Sequence, residues 1–185
     1  MTMPAASATR EEPPARGGAA RLVATLNTAF ARLPHSLIAA LARFSIAAVF
    51  WKSGQTKIEG LAIDLVDGVY ELGWPHLSDA GVALFRDEYR LPLLAPEWAA
   101  LLAALGEHVL SLFLLIGFAT RLSALGLLAM TAVIQVLVYP GAYATHGVWA
   151  AVLLLLIARG PGSLSVDSFI AARTPVRSPA RQLRC

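Results

Sequence analysis

LGEHVLSLFLLIGFATRLSALG, Leu105 to Gly126, sets a glutamate and a histidine side by side inside a long apolar run. In a soluble core helix the pair could reach water at an edge, whereas in a bilayer Glu107 lies near mid-depth, where a carboxylate is costly. Composition decides which solvent applies. The chain has 185 residues, 57% hydrophobic and 15% charged, with a mean hydropathy of +0.62. An ordinary soluble domain is about a quarter charged, so this is the composition of an integral membrane protein.

Four apolar segments stand out: Leu37 to Trp51, Trp98 to Ala119, Leu122 to Tyr139, and a weaker one from about Tyr143 to Ala158. A helical span needs roughly 20 residues. The second and third segments meet that length alone, and the first and fourth reach it by borrowing their flanks, with Tyr139 and Trp149 suited to an interface. The expected fold is all-α: an integral membrane four-helix bundle over 33–160, with a cytoplasmic tail at 1–32 and a basic cytoplasmic tail at 161–185. Residues 1–32 contain no apolar run of the kind a secretory signal needs. They read as a disordered tail in which Leu22, Val23, Leu26, Phe30 and Leu33 recur at helical spacing, as in a short interfacial helix, though a frayed linker fits equally.

Basic residues set the orientation. With both termini cytoplasmic, that side carries Arg10, Arg16, Arg21, Arg32, Arg121, Arg159, Arg173, Arg177, Arg181 and Arg184, against Lys52, Lys57, Arg86 and Arg90 on the other. This is the asymmetry of a multi-pass bacterial inner-membrane protein. The net charge of +3 and pI near 9.4 then reflect orientation and anionic inner-leaflet lipid, with no need for nucleic acid. The acidic residues Glu59, Asp64, Asp67, Glu71, Asp79, Asp87, Glu88 and Glu97 fall in or just after the stretch from Gly54 to Ala95. Within it, Leu61, Leu65, Val69 and Leu72 alternate with Asp64, Asp67 and Glu71 at helical spacing, which predicts an amphipathic helix on the outer membrane surface, stopped by Gly73, Trp74 and Pro75.

The chemistry concentrates on few residues. Counted along their spans, Arg43 and Glu107 reach similar depths, so the sequence predicts that they pair, at a cost of roughly 3 to 5 kcal/mol if one partner is removed. Such a pair serves equally as a pin of helix register or as part of a polar track, lined by Ala40, Ala47, Gly54 and Ser111 and extended by Gln135, for protons or a quinone headgroup. His108 lies about 100° round the helix from Glu107 and reads as a histidine hydrogen-bonded to a neighbouring helix. No second histidine stands at a matching depth for haem, with His35 at the inner end and His76 and His146 outside. The single Cys185 cannot run a dithiol cycle, three methionines form no copper-binding stripe, and no metal site is expected.

FSIAAVFWKSGQTKIEG, LPLLAPEWAALLAALGEHVLSLFLLIGFATRLSALGLL and WAAVLLLLIARGPGSLSVD together resemble the DoxX family of small four-helix bacterial membrane proteins, over about Ala42 to Phe169. The positions that carry the resemblance are Gly54, Lys57, Glu107, Gly117, Arg121, Gly160, Gly162, Ser165 and Asp167. The family includes the membrane subunit of thiosulfate:quinone oxidoreductase and a component associated with thiol-redox enzymes. The resemblance therefore implies a membrane subunit of a redox, detoxification or stress-response complex, with a protein partner and a quinone as its suggested cofactor. In that reading Arg43, Glu107 and Gln135 form the contact track and Lys57 stands at its outer mouth. Some relatives are encoded beside enzymes that modify small secreted metal-binding peptides, which implies the alternative: a non-catalytic accessory or transporter for such a peptide, docked on the acidic outer segment.

Overall fold

The computed structural model describes residues 18–64 and 68–174. Four helices among them are long and apolar enough to cross a membrane: His35–Gln55, Pro96–Ile116, Thr120–Val138 and Pro140–Arg159. Their regular α-helical parts are α2 (His35–Gln55), α4 (Pro96–Ile116), α5 (Thr120–Val133) and α6 (Tyr143–Arg159). As expected, the first and fourth reach spanning length by taking in their flanks.

The first unit of the chain, residues 1–34, contributes α1 (Gly18–Phe30). Leu22, Val23, Leu26 and Phe30 are all exposed on it, and no residue of α1 is buried. Residues 1–17 and 175–185, with Cys185 and the arginines at 10, 16, 177, 181 and 184, lie outside the described residues.

In the second unit α2 packs on α4, α4 on α5 and α5 on α6, and α6 returns to α2, closing a four-helix bundle. Ile46, Phe50, Leu114, Leu127, Leu153 and Leu156 fill its centre with Ala39 and Ala124 between them. Small residues at the contacts let the backbones approach, the usual device of helix association where lipid supplies no hydrophobic drive. At Gly54 an added Cβ would lie 2.6 Å from His108 Cε1, so this glycine admits the α4 histidine against α2. The outer ring is the reverse of a soluble protein's: Leu37, Leu41, Phe44, Leu102, Leu122 and Leu125 are exposed, as a surface bathed in hydrocarbon requires.

The segment between the first two spans differs from the expected amphipathic helix. It forms an antiparallel hairpin of β1 (Ile58–Asp64) and β2 (Val69–Leu77), with Leu61 opposite Leu72, Ile63 opposite Tyr70 and Ala62 opposite Glu71. The same residues support a period of two: Leu61, Ile63, Tyr70 and Leu72 share one face, and Ala62, Asp64, Val69 and Glu71 the other. β-branched and aromatic residues favour strands, and the glycines weaken a helix by about 1 kcal/mol each. Gly60 has φ 84 at an irregularity in the register, and a Cβ on Gly73 would stand 2.8 Å from Gly60 O. Asp67, one of the three acids on which the helical reading rested, lies outside the described residues.

After the hairpin, α3 (Asp79–Ala83) starts on Ser78, whose Oγ accepts from Gly81 N at 2.9 Å, and runs into a π-helical turn, Leu84–Tyr89. A second π-helical turn, Ile134–Val138, ends the third span. At the opposite end of the bundle α4 stops at Gly117 (φ 72), with Phe118 N donating to Phe113 O at 2.8 Å, the left-handed closure that glycine accepts without strain. There α7 (Val166–Arg173), capped by Ser165, is stitched to the α4–α5 turn. Asp167 N donates to Gly117 O at 2.9 Å, while the Asp167 carboxylate accepts from Ala119 N at 2.8 Å and Thr120 N at 2.9 Å.

Asp167 thus serves the free amides of α5 as an N-cap residue does, although it comes from another helix. Asp167→Ala is expected to lower stability by about 1 to 2 kcal/mol, and Asp167→Asn, which keeps one acceptor, by less. The thermal midpoint in mild detergent reads this, and equal midpoints for all three proteins would show that the two amides find other acceptors.

Candidate functional site

The Glu107 side chain turns toward the hairpin end of the bundle, and its partner is Lys57. The Lys57 ammonium lies 2.9 Å from Glu107 Oε2 and 3.2 Å from Oε1, both residues only 2% exposed. Lys57 also donates to Ser53 O at 2.9 Å and Ser53 Oγ at 3.1 Å, and Ser53 Oγ donates to Glu107 Oε1 at 2.9 Å. Oε2 faces the ammonium out of line for a hydrogen bond and has no other donor among the described residues. Lys57 follows the end of α2 by two residues and folds back because the chain reverses there, with Lys57 N donating to Gly54 O at 3.0 Å. Ser78 N donates to Lys57 O at 3.0 Å, and Gly81 leaves room for that backbone, since a Cβ on it would come within 2.8 Å of Lys57 O.

The predicted partner of Glu107, Arg43, lies elsewhere. Its guanidinium donates to Leu115 O at 3.3 Å and to Leu164 O, at the α7 end of the bundle. Leu115 is eight residues beyond Glu107, roughly 12 Å along α4. Cα depth suggests the pairing, whereas a long basic side chain reaches away from its own depth, here to carbonyl oxygens of α4 and of the segment before α7. Lys57, counted outside the span, reaches inward in the same way.

Gln135 does not extend the site either. Its Nε2 donates to Pro140 O at 2.7 Å and its Oε1 accepts from His146 Nδ1 at 2.7 Å, between the third and fourth spans. His146, expected outside the membrane, is 6% exposed within α6, its ring 5.0 Å from that of Trp149. Its spacing of three from Trp149 on one helix face was the signal available in the sequence. His108 bridges helices: Nδ1 donates to Ala104 O at 2.7 Å, Nε2 accepts from Gln55 Nε2 at 2.8 Å, and Gln55 Oε1 accepts from Ile63 N at 2.8 Å. The ring therefore ties α4 to α2 and to the hairpin.

Beside Glu107 a cavity of about 260 Å³ opens between the Leu84–Tyr89 turn, α4 and α5. Phe85, Tyr89, Ala103, Met130 and Ile134 wall it, and Glu107 is the one ionisable carboxyl on its lining. Both π-helical turns border it, and such turns often mark functional positions. Tyr89 carries the cavity toward the surface. Burial first, and then the negative charges of Glu107 and Glu88, push its phenol above the ordinary tyrosine value. Its ring stands edge-on to Tyr139 at 5.8 Å, and the Tyr139 hydroxyl donates to Glu88 Oε1. That hydrogen bond, foremost, also pushes the Tyr139 phenol upward.

Among the described residues no group of three or more His, Cys, Asp or Glu is placed to hold a metal ion. The arrangement offers a carboxyl and a phenol on the lining of an apolar cavity, the carboxyl held from behind by Lys57 and Ser53: groups able to hydrogen-bond a small polar head and to hold a proton beside it.

One comparison with known proteins identifies a family. Residues 38–140, more than half the chain, match the DoxX family model, which covers the hairpin, the cavity and Glu107. No curated protein matches, and no solved structure does.

Two outcomes follow from this geometry. Lys57→Met strands the Glu107 charge in a dry environment and is expected to cost roughly 3 to 5 kcal/mol, whereas the double variant Lys57→Met, Glu107→Leu regains most of that loss. Unfolding in mixed micelles measures both, and a double variant as unstable as the single would refute the pairing. Because the folded Tyr139 phenol titrates above its unfolded value of about 10, its contribution to stability is present below that pH and fades as pH rises past it. Glu88→Gln should move its phenolate absorbance to lower pH.

Proposed function

The chain belongs to the DoxX family, and from that membership and the Lys57–Glu107 cavity we propose that it is the membrane subunit of a redox or detoxification complex. The cavity receives the headgroup of a quinone at the hairpin end of the bundle. The observation that carries this reading is the juxtaposition of a buried ion pair and an apolar cavity of headgroup dimensions, walled by flat and flexible side chains. Small-molecule sites are typically apolar clefts with a few placed polar groups.

A quinone, when bound, supplies two-electron chemistry coupled to protons. The chain's own part is to orient and to manage charge. Phe85 and Tyr89 bound the headgroup plane, Met130 adapts to its edge, and Glu107 accepts a hydrogen bond from a hydroxyl or holds a proton next to a carbonyl. Ser53 and Lys57 keep that carboxyl in place through either state. Tyr89, Tyr139 and Glu88 lead from the cavity toward the surface and provide the route by which a proton is exchanged. Thiol chemistry comes from a partner protein, since the chain's one cysteine is Cys185. The basic asymmetry supports an orientation with the α7 end and both termini on the cytoplasmic side and the hairpin and cavity on the outer side of the inner membrane.

The test is a titration of the detergent-purified chain with a short-chain quinone, followed through tryptophan fluorescence. Glu107→Gln is expected to weaken binding roughly tenfold or more, the worth of a charged hydrogen bond, and Ala103→Phe, which fills the cavity and keeps Glu107, to abolish it. Binding indifferent to both substitutions would overturn the reading.

A further inference from the structure

At the end of the bundle away from Glu107, α5, α6 and α7 leave a cleft of about 440 Å³ lined by Thr120, Arg121, Leu122, Arg159, Pro161 and Asp167. Gly160 and Gly162, both with φ 79, form the turn beneath it. The Arg121 guanidinium lies over Gly160, where an added Cβ would stand 3.7 Å from its Nη2 and 3.8 Å from its Nε. Arg121 is the second residue of the third span and Arg159 the last of the fourth. Both cations therefore sit where the helices leave hydrocarbon, at the depth of lipid phosphates.

Neither arginine has an acidic partner among the described residues. The carboxylate in the cleft, Asp167, has one oxygen on Ala119 N and the other on Thr120 N, so it serves the amides of α5 and leaves the guanidinium groups uncompensated. The helix dipole accounts for Arg159, a cation in the last turn of α6, but not for Arg121, a cation in the first turn of α5, where the positive pole opposes it. An anion between the two arginines relieves that opposition. Beside the cleft, Leu122 and Leu125, 72% and 53% exposed, continue along α5 as an apolar strip.

We propose that this cleft binds the phosphate of an anionic phospholipid, held by Arg121 and Arg159, with its acyl chains lying along Leu122 and Leu125. Guanidinium groups match phosphate oxygens in geometry as well as charge. Asp167 closes the floor of the site and keeps the phosphate from the α5 amides.

Native mass spectrometry of the full chain in dodecyl maltoside, titrated with short-chain phosphatidylglycerol or phosphatidylcholine, tests the assignment. The parent protein is expected to retain one phosphatidylglycerol in preference to phosphatidylcholine. Arg121→Gln and Arg159→Gln should each weaken that binding about fivefold, and the pair roughly thirtyfold, from the usual worth of a basic residue at an anionic surface. Arg86→Gln with Arg90→Gln, at the hairpin end, should leave it unchanged. Both cleft arginines are exposed, so the single variants carry the test if the double variant is too unstable to purify. Undiminished lipid binding in the single variants, an equal loss in the hairpin-end control, or displacement of the lipid by inorganic phosphate would each overturn the proposal, the last by making the cleft a site for a soluble anion.

Discussion

A lysine and a glutamate, each 2% exposed, held together at 2.9 Å beside hydrocarbon, constrain the rest of this structure. Neither charge is tolerable there alone, so the elements that deliver Lys57 to Glu107 must all be in place together. α2 has to run on to Gln55, the chain has to reverse within two residues, and the hairpin has to return so that Ser78 clamps the Lys57 backbone. Gly54 and Gly81 are small because α4 passes directly over the first and the Lys57 backbone lies against the second. The hairpin, too short to be stable by itself in water, is anchored through Gln55 and His108 to the same helices that carry the pair.

Stability alone is a poor reason for such a pair. Well-packed apolar residues of similar volume usually do as well or better than a buried ion pair, and the opposite end of the bundle is held without one. There Asp167 and Arg43 meet backbone amides and carbonyls, the ordinary way to close helix ends. The ion pair is thus the more expensive of two available solutions, and it stands on the wall of a cavity. That coincidence is what turns a structural feature into a site.

The sequence made the bundle legible because bilayer thickness imposes a length and a composition that few other solvents demand. It also showed that Glu107 required a partner. It did not show which, because Cα depth says little about where the end of a lysine or arginine goes: Arg43 reaches toward one end of the bundle and Lys57 folds back from the other. The hairpin was hidden for a related reason. Asp64, Asp67 and Glu71 satisfy a helical spacing, while Leu61, Ile63, Tyr70 and Leu72 satisfy alternation, and pattern alone does not arbitrate between them. Gly60, Gly68 and Gly73, all within one stretch, were the deciding evidence. His146 falls inside the fourth apolar segment, and α6, which begins at Tyr143, carries it into the bundle rather than leaving it outside.

The separation of the polar groups bears on the choice between a redox subunit and a transporter. A carrier needs a path from one face to the other, yet Lys57 with Glu107 and Ser53, Gln135 with His146, and Arg43 at the α7 end are sets with no hydrogen bond from one to the next among the described residues. Below Glu107 on its own face of α4 the next polar group is Ser111, buried with no hydrogen-bond partner among the described residues, and beyond it Leu114 joins the closed core of Ile46, Leu127, Leu153 and Leu156. Met130 stands on the cavity wall and also packs against that core. The cavity is therefore a one-sided chamber that ends on packed hydrocarbon. In the proposed reading a small apolar molecule enters it, exchanges a proton through Tyr89 and Glu88, and leaves by the way it came. Passage of a charged peptide through this chain alone would require the whole core to part, whereas a membrane subunit that serves a partner enzyme needs only the chamber.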